Sequence, residues 1–137
     1  MTAVFADASY WIALLNPRDS LHSKASTLST FLRRTQIVTS EMVLIELLND
    51  FGGRNKELRR TAVDLVEDLR RDPQLVIVPQ SSNQFQAALL LYAKRSDKTW
   101  GITDCSSFQI MDLRGLTRAL THDHHFEQAG FQALLRD

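Results

Sequence analysis

Short apolar runs alternate along the chain with longer stretches in which apolar side chains recur every three or four residues. Ala3-Val4-Phe5-Ala6 gives way to Trp11-Ile12-Ala13-Leu14-Leu15, which predicts a strand feeding a helix that stops at Asn16-Pro17. Ala25, Leu28, Phe31 and Leu32 mark one face of a second helix, with Asp19 or Ser20 as its cap. Gln36 to Thr39 reads as a short buried strand. Ser40 then caps a helix with Glu41 in its first turn, ended by Gly52-Gly53.

From Asn55 to Arg71, Leu58, Ala62, Leu65, Val66 and Leu69 share one helical face, and Asp72-Pro73 stops it. Leu75 to Val78 is a continuous apolar run, the pattern of a strand covered on both faces. Phe85, Ala88, Leu89 and Tyr92 mark another helix. The polar stretch Arg95 to Gly101 is a loop, after which Thr103 is expected to cap a helix that buries Phe108 and Met111 and ends near Gly115. Leu116 to Thr121 is a further strand, Asp123 to Gln128 a short helix, and Phe131 to Leu135 a closing strand. Strands alternating with helices predict a three-layer α/β/α sandwich around a mostly parallel sheet.

Composition narrows this picture modestly. A chain of 137 residues fits one domain, 1–137. Sixteen basic and sixteen acidic residues cancel, which excludes polyanion binding by bulk charge alone. The only cysteine, Cys105, excludes an intramolecular disulfide framework and suits a reducing cytoplasm. No apolar run is long enough for a membrane span, and the N-terminus opens on a strand-like segment without a basic leader, so a soluble, unprocessed protein is expected.

The chemistry lies in four carboxylates. Asp7 closes the first strand, Glu46 falls on the margin of the apolar stripe Val43, Leu44, Leu47, Leu48 and Phe51, Asp104 enters the first turn of its helix, and Asp123 follows a strand end. Each has an ordinary structural use as a turn former or a helix-dipole partner. Gathered together they would repel one another unless a divalent cation compensated, and hard ions such as Mg²⁺ take oxygen ligands and phosphate substrates. Periodicity does not show that they meet in space.

Four segments carry a resemblance: Val4-Phe5-Ala6-Asp7-Ala8-Ser9, Thr39 to Glu46, Gly101-Ile102-Thr103-Asp104-Cys105-Ser106, and Leu120-Thr121-His122-Asp123-His124-His125-Phe126. In this order they resemble the acidic motifs of PIN-domain ribonucleases, most of all the small bacterial VapC-type toxins of toxin-antitoxin systems. The resemblance spans nearly the whole chain and implies metal-dependent endonuclease activity on RNA. It also implies Mg²⁺ or Mn²⁺ held by Asp7, Asp104, Glu46 and Asp123, the last two partly through water. Ser9 and Thr103 are the supporting hydroxyls, Thr103 orienting Asp104 through its cap. A cognate antitoxin and a homodimer are the expected partners, with Trp11, Ile12, Leu14 and Leu15 as a possible surface for either. Rival functions are a stand-alone RNA-processing nuclease, a non-catalytic RNA- or protein-binding module, and a phosphatase. Ser9 two residues after Asp7 argues against the last.

Other residues are secondary. His122, His124 and His125 suggest a Zn²⁺ or Ni²⁺ site, but adjacent positions lack the i, i+4 geometry of helical zinc motifs, so histidines at the mouth of the site are preferred. His22 is read as a helix-start residue. The arginines at 33, 34, 54, 59, 60, 70 and 71, with Lys56, are read mainly as a solvated helix face, Trp100 and Tyr10 as core, and Cys105 as packing.

Overall fold

The computed structural model describes residues 3–137, so the first two positions of the expected 1–137 domain lie outside the described residues. Five strands, β1 (Ala3–Ala6), β2 (Gln36–Ser40), β3 (Leu75–Val78), β4 (Arg118–Leu120) and β5 (Gln132–Ala133), form one sheet in the order β3-β2-β1-β4-β5. Every pairing is parallel. Between the strands run α1 (Ala8–Leu15), α2 (His22–Phe31), α3 (Glu41–Gly52), α4 (Lys56–Arg71), α5 (Ser82–Lys94), α6 (Ile102–Arg114) and α7 (His124–Gln128).

Val4, Phe5 and Ala6 are consecutive and all buried. Successive strand residues point to opposite faces, so β1 is covered on both sides, which is the α/β/α arrangement the alternating pattern predicts. An aromatic cluster fills the space beside it: Phe126 lies between Phe5 and Phe108, and Phe108 packs edge-on against Trp100. Gly115 ends α6 in the left-handed region at φ 66°, a conformation open to glycine. Ser40 caps α3 by accepting the Val43 N–H at 3.1 Å. Ser40→Ala is expected to lower stability by about 1 kcal/mol, read as an earlier urea midpoint; an unmoved midpoint would show the cap to be worthless.

Several expectations need correction. β3 is an edge strand and only half-buried along its length, because nothing pairs beyond it, so its unbroken apolar run does not mean cover on both faces. On α5 the buried residue is Ala88, while Phe85, Leu89 and Tyr92 face outward; the helix is turned so that Gln84 donates to Ser106 of α6. Phe31 is 79% exposed at the end of α2 and Leu21, not Asp19 or Ser20, precedes the helix, since Asp19 is used in the turn before it. The N-cap of α6 is Gly101, not Thr103. Trp11 is core, its indole donating to Thr39, while Ile12, Leu14 and Leu15 pack against that core and stay only partly buried. Exposed apolar side chains occur on α5 (Phe85, Leu89, Leu90) and α3 (Ile45). The arginines behave as solvated-face residues, with Arg60–Asp64 and Arg71–Asp68 paired along α4 and Arg54, just past α3, paired back to Asp50. No helix among the described residues is long and apolar enough to cross a membrane.

Candidate active site

Parallel strands all end on one edge of the sheet, and that edge collects the acids. The chain leaves β1 for β2 on one side, yet β4 pairs with β1 on the other. Strand order therefore reverses between β1 and β4, and such a reversal opens a crevice at the C-terminal ends of the strands. Asp7, the residue after β1, donates its N–H to the Leu120 carbonyl of β4 at 3.2 Å. Asp123, just past β4, caps α7; Asp104 sits in the first turn of α6, and Glu46 reaches in from α3.

Thr121 joins Asp7 to Asp123 and His125 joins Asp104 to Asp123, while the charges of Glu46 and Asp104 bear on Asp7. Burial is the largest influence on Asp7, only 6% exposed, and lifts its pKa to about 7; the Thr121 hydroxyl opposes this, and the charges of Glu46 and Asp104 add to it. Glu46 is also raised, first by desolvation of its carboxylate and then by Asp104 and Asp123, against a hydrogen bond from Thr103. Asp104 is raised by burial and by Asp123, with the Gly101 N–H and His125 pulling the other way. Three acids thus hold their charge reluctantly until something positive arrives.

The hydrogen bonds leave a common pattern. On Asp7, Thr121 Oγ1 donates to Oδ2 at 2.9 Å and Ser9 Oγ to the same oxygen at 3.3 Å. Asp104 Oδ2 accepts from the Gly101 N–H at 3.1 Å and lies 2.9 Å from His125 Nδ1. Asp123 Oδ1 accepts the His125 N–H at 2.9 Å, with His125 Nδ1 3.3 Å away. In each aspartate one oxygen is occupied by the protein, while the second has no side-chain partner among the described residues. That is the donor set a hard cation needs: several carboxylate oxygens, each held by its twin.

Ser9 stands beside Asp7 as expected, and it also accepts the His122 N–H. Thr103 acts on Glu46 across the crevice, not on Asp104. Thr121 escaped the sequence reading, and His125, expected only at the mouth of the site, holds two of its acids. Thr121 is fully buried, donates to Asp7 and accepts the Asp123 N–H at 3.0 Å, joining two acids. Its signal was a hydroxyl two residues before Asp123 at a strand end. His125 bridges Asp104 and Asp123 and meets Thr99 Oγ1 through Nε2 at 3.3 Å; no spacing rule announces it. Ligand atoms of Asp123, His124 and His125 lie within 4.8 Å of one another. His125 Nδ1 is already engaged by Asp104, so an ion there would displace that bond. His22 contacts the Ala13 carbonyl at 2.8 Å between α1 and α2, outside the site. Tyr10, Trp100 and Cys105 are core.

Fold and site together define a parallel α/β protein with an acidic centre at its topological switch point. The chain belongs to the PIN domain family, which it matches over residues 4–132. PIN domains are metal-dependent nucleases. The chain is 26% identical over 131 residues to the 23S rRNA-specific endonuclease VapC20 of Mycobacterium tuberculosis, covering 93% of this chain and 95% of that one. The crystal structure of VapC20, described as a sarcin-ricin loop cleaving toxin, superposes with a TM-score of 0.82 at 25% identity, covering 94% of this chain and 96% of that one. The fold is shared with FitAcB from Neisseria gonorrhoeae (TM-score 0.62, 18% identity, 95% and 94% covered) and with DNA-bound VapBC from Salmonella typhimurium (0.63, 16%, 97% of each).

Proposed function

We propose that the chain is a Mg²⁺- or Mn²⁺-dependent endoribonuclease and the toxin of a toxin-antitoxin pair, acting in the cytoplasm. The observation that carries the reading is the crevice itself, which gathers Asp7, Glu46, Asp104 and Asp123 and in which each aspartate presents an oxygen with no side-chain partner among the described residues. Asp7 and Asp104 are the direct ligands in this reading, because they are the least exposed of the acids and each has one oxygen held by two protein groups. Glu46 and Asp123, more exposed, act partly through water. A bound divalent ion supplies charge compensation at the phosphate and a water of lowered pKa for in-line attack.

The residues of the chain do the rest. Thr121 and Ser9 fix the orientation of Asp7. Gly101 and His125 do the same for Asp104, and His125 also keeps Asp123 at a set distance from it. The Thr103 hydroxyl opposes the upward shift of the Glu46 pKa. None of these needs to move a proton for the site to form.

An antitoxin and a homodimer belong to the proposal, on the likeness to toxin relatives. A stand-alone nuclease would use the same residues, and a small DNA-binding protein encoded in the neighbouring reading frame discriminates in favour of the pair. VapC20 makes ribosomal RNA the first substrate to try. Incubated with ribosomal RNA, the purified chain is expected to cleave at discrete positions with Mg²⁺ or Mn²⁺ and not at all in chelator. Cleavage insensitive to chelation would reject the metal mechanism, and a chain that binds RNA intact under all ions would be a binding module.

A further inference from the structure

We infer that the cavity at the C-terminal end of α5 is a subsite for one unpaired nucleotide of the RNA beside the scissile phosphate, an inference that rests on the nuclease reading. The cavity is about 460 Å³ and is bounded by Tyr92, Arg95, Lys98, Thr99 and Trp100. Its size falls within the roughly 300–1,000 Å³ of pockets that take small ligands.

Its chemistry suits a base and its phosphate. Tyr92 is 51% exposed, so its ring is free to stack on a base. The floor is rigid, since Trp100 is buried and donates its indole N–H to Gln128 at 2.9 Å. Arg95 lies over the Trp100 ring at 4.9 Å and is fixed by two hydrogen bonds to Asp97, both 3.0 Å. That pairing largely spends the charge of Arg95. Lys98, by contrast, has no ion-pair partner among the described residues, which leaves an ammonium for a phosphate.

The cavity is linked to the acids by a short chain of contacts. Thr99 lines it and meets His125 Nε2 at 3.3 Å, while His125 Nδ1 is 2.9 Å from Asp104 Oδ2. Two side chains therefore separate the pocket from the proposed metal ligands. A strand of RNA with a phosphate at the acids reaches the pocket with an adjacent nucleotide. A crevice lined with carboxylates repels RNA when no cation is bound, so an aromatic rim and a free ammonium at its edge give the substrate a foothold.

The test is fluorescence anisotropy of a fluorescein-labelled single-stranded oligoribonucleotide against the full chain in chelator, where no cleavage interferes. Tyr92→Ala and Lys98→Gln are each expected to bind roughly tenfold more weakly, and Tyr92→Phe to bind like the wild type because the ring is retained. Lys98→Gln should also flatten the salt dependence by about one phosphate contact. Both positions are at the surface, and unchanged melting temperatures verify the fold. Unchanged affinity in either variant overturns the subsite and leaves the cavity to a protein partner. If the wild type cleaves RNA and the variants bind as it does, the subsite alone fails; if the wild type neither binds nor cleaves, the nuclease reading fails with it.

Discussion

Asp7→Asn is expected to lose RNA cleavage by on the order of a thousandfold and, in chelator, to melt higher than the wild type. Both effects have one cause. The carboxylate of Asp7 is buried beside Glu46 and Asp104, and its pKa is raised from 3.8 to about 7. Holding it ionised in the folded state costs on the order of 4 kcal/mol relative to the unfolded chain. Asparagine keeps the acceptor that Thr121 and Ser9 need, removes the charge that Glu46 and Asp104 repel, and offers an amide N–H₂ in place of the second oxygen. Recovery of even half of that cost corresponds to a rise on the order of 5 °C. Differential scanning fluorimetry at about pH 8, in chelator, reads it. A variant that cleaves like wild type removes Asp7 from the mechanism; one that is inactive and also less stable would mean the carboxylate is structural.

Affinity for Mn²⁺ is expected to fall about tenfold for each pH unit below about 7, because a proton on Asp7 competes with the ion. Stability of the metal-free chain runs the other way. The unfolded Asp7 ionises near 3.8 and the folded one near 7, so between these values the folded state binds more protons. Stability is then greatest below the lower value, declines as pH rises through the window, and levels off above about 7. Glu46 and Asp104 are shifted upward as well and contribute with the same sign. Titration calorimetry in buffers of different ionisation enthalpy should show close to one proton released per ion near pH 6. Flat Mn²⁺ affinity from about pH 5 to 8 would contradict a buried, protonated Asp7. Added Mn²⁺ should accordingly raise the melting temperature more at high pH than at low.

Much of the fold was legible because local rules and tertiary packing agree. β1 and β2 lie where their apolar runs predict, α3 begins at its Ser40 cap, and α4 starts at Asn55, whose side chain accepts the Leu58 N–H at 2.8 Å. The reading failed where a pattern had two solutions. A continuous apolar run fits an edge strand under helices as well as a central one, and β3 took the edge. On α5 the apolar residues outnumber the buried positions, so periodicity could not say which face turns inward; the Gln84–Ser106 contact to α6 fixed it.

By itself, the sequence determined the alternation of strands and helices and the acids themselves: Asp7 at a strand end, Glu46 at the edge of an apolar stripe, Asp104 in a first turn and Asp123 after a strand. Only the tertiary structure decided that these belong to one crevice, because convergence depends on β1 and β4 being neighbours across a reversal in strand order. It alone supplied Thr121, and it alone showed which acids His125 holds. Their importance comes from contacts across 114 and 21 residues of chain, and no local propensity encodes which distant carboxylate a hydroxyl or an imidazole will hold.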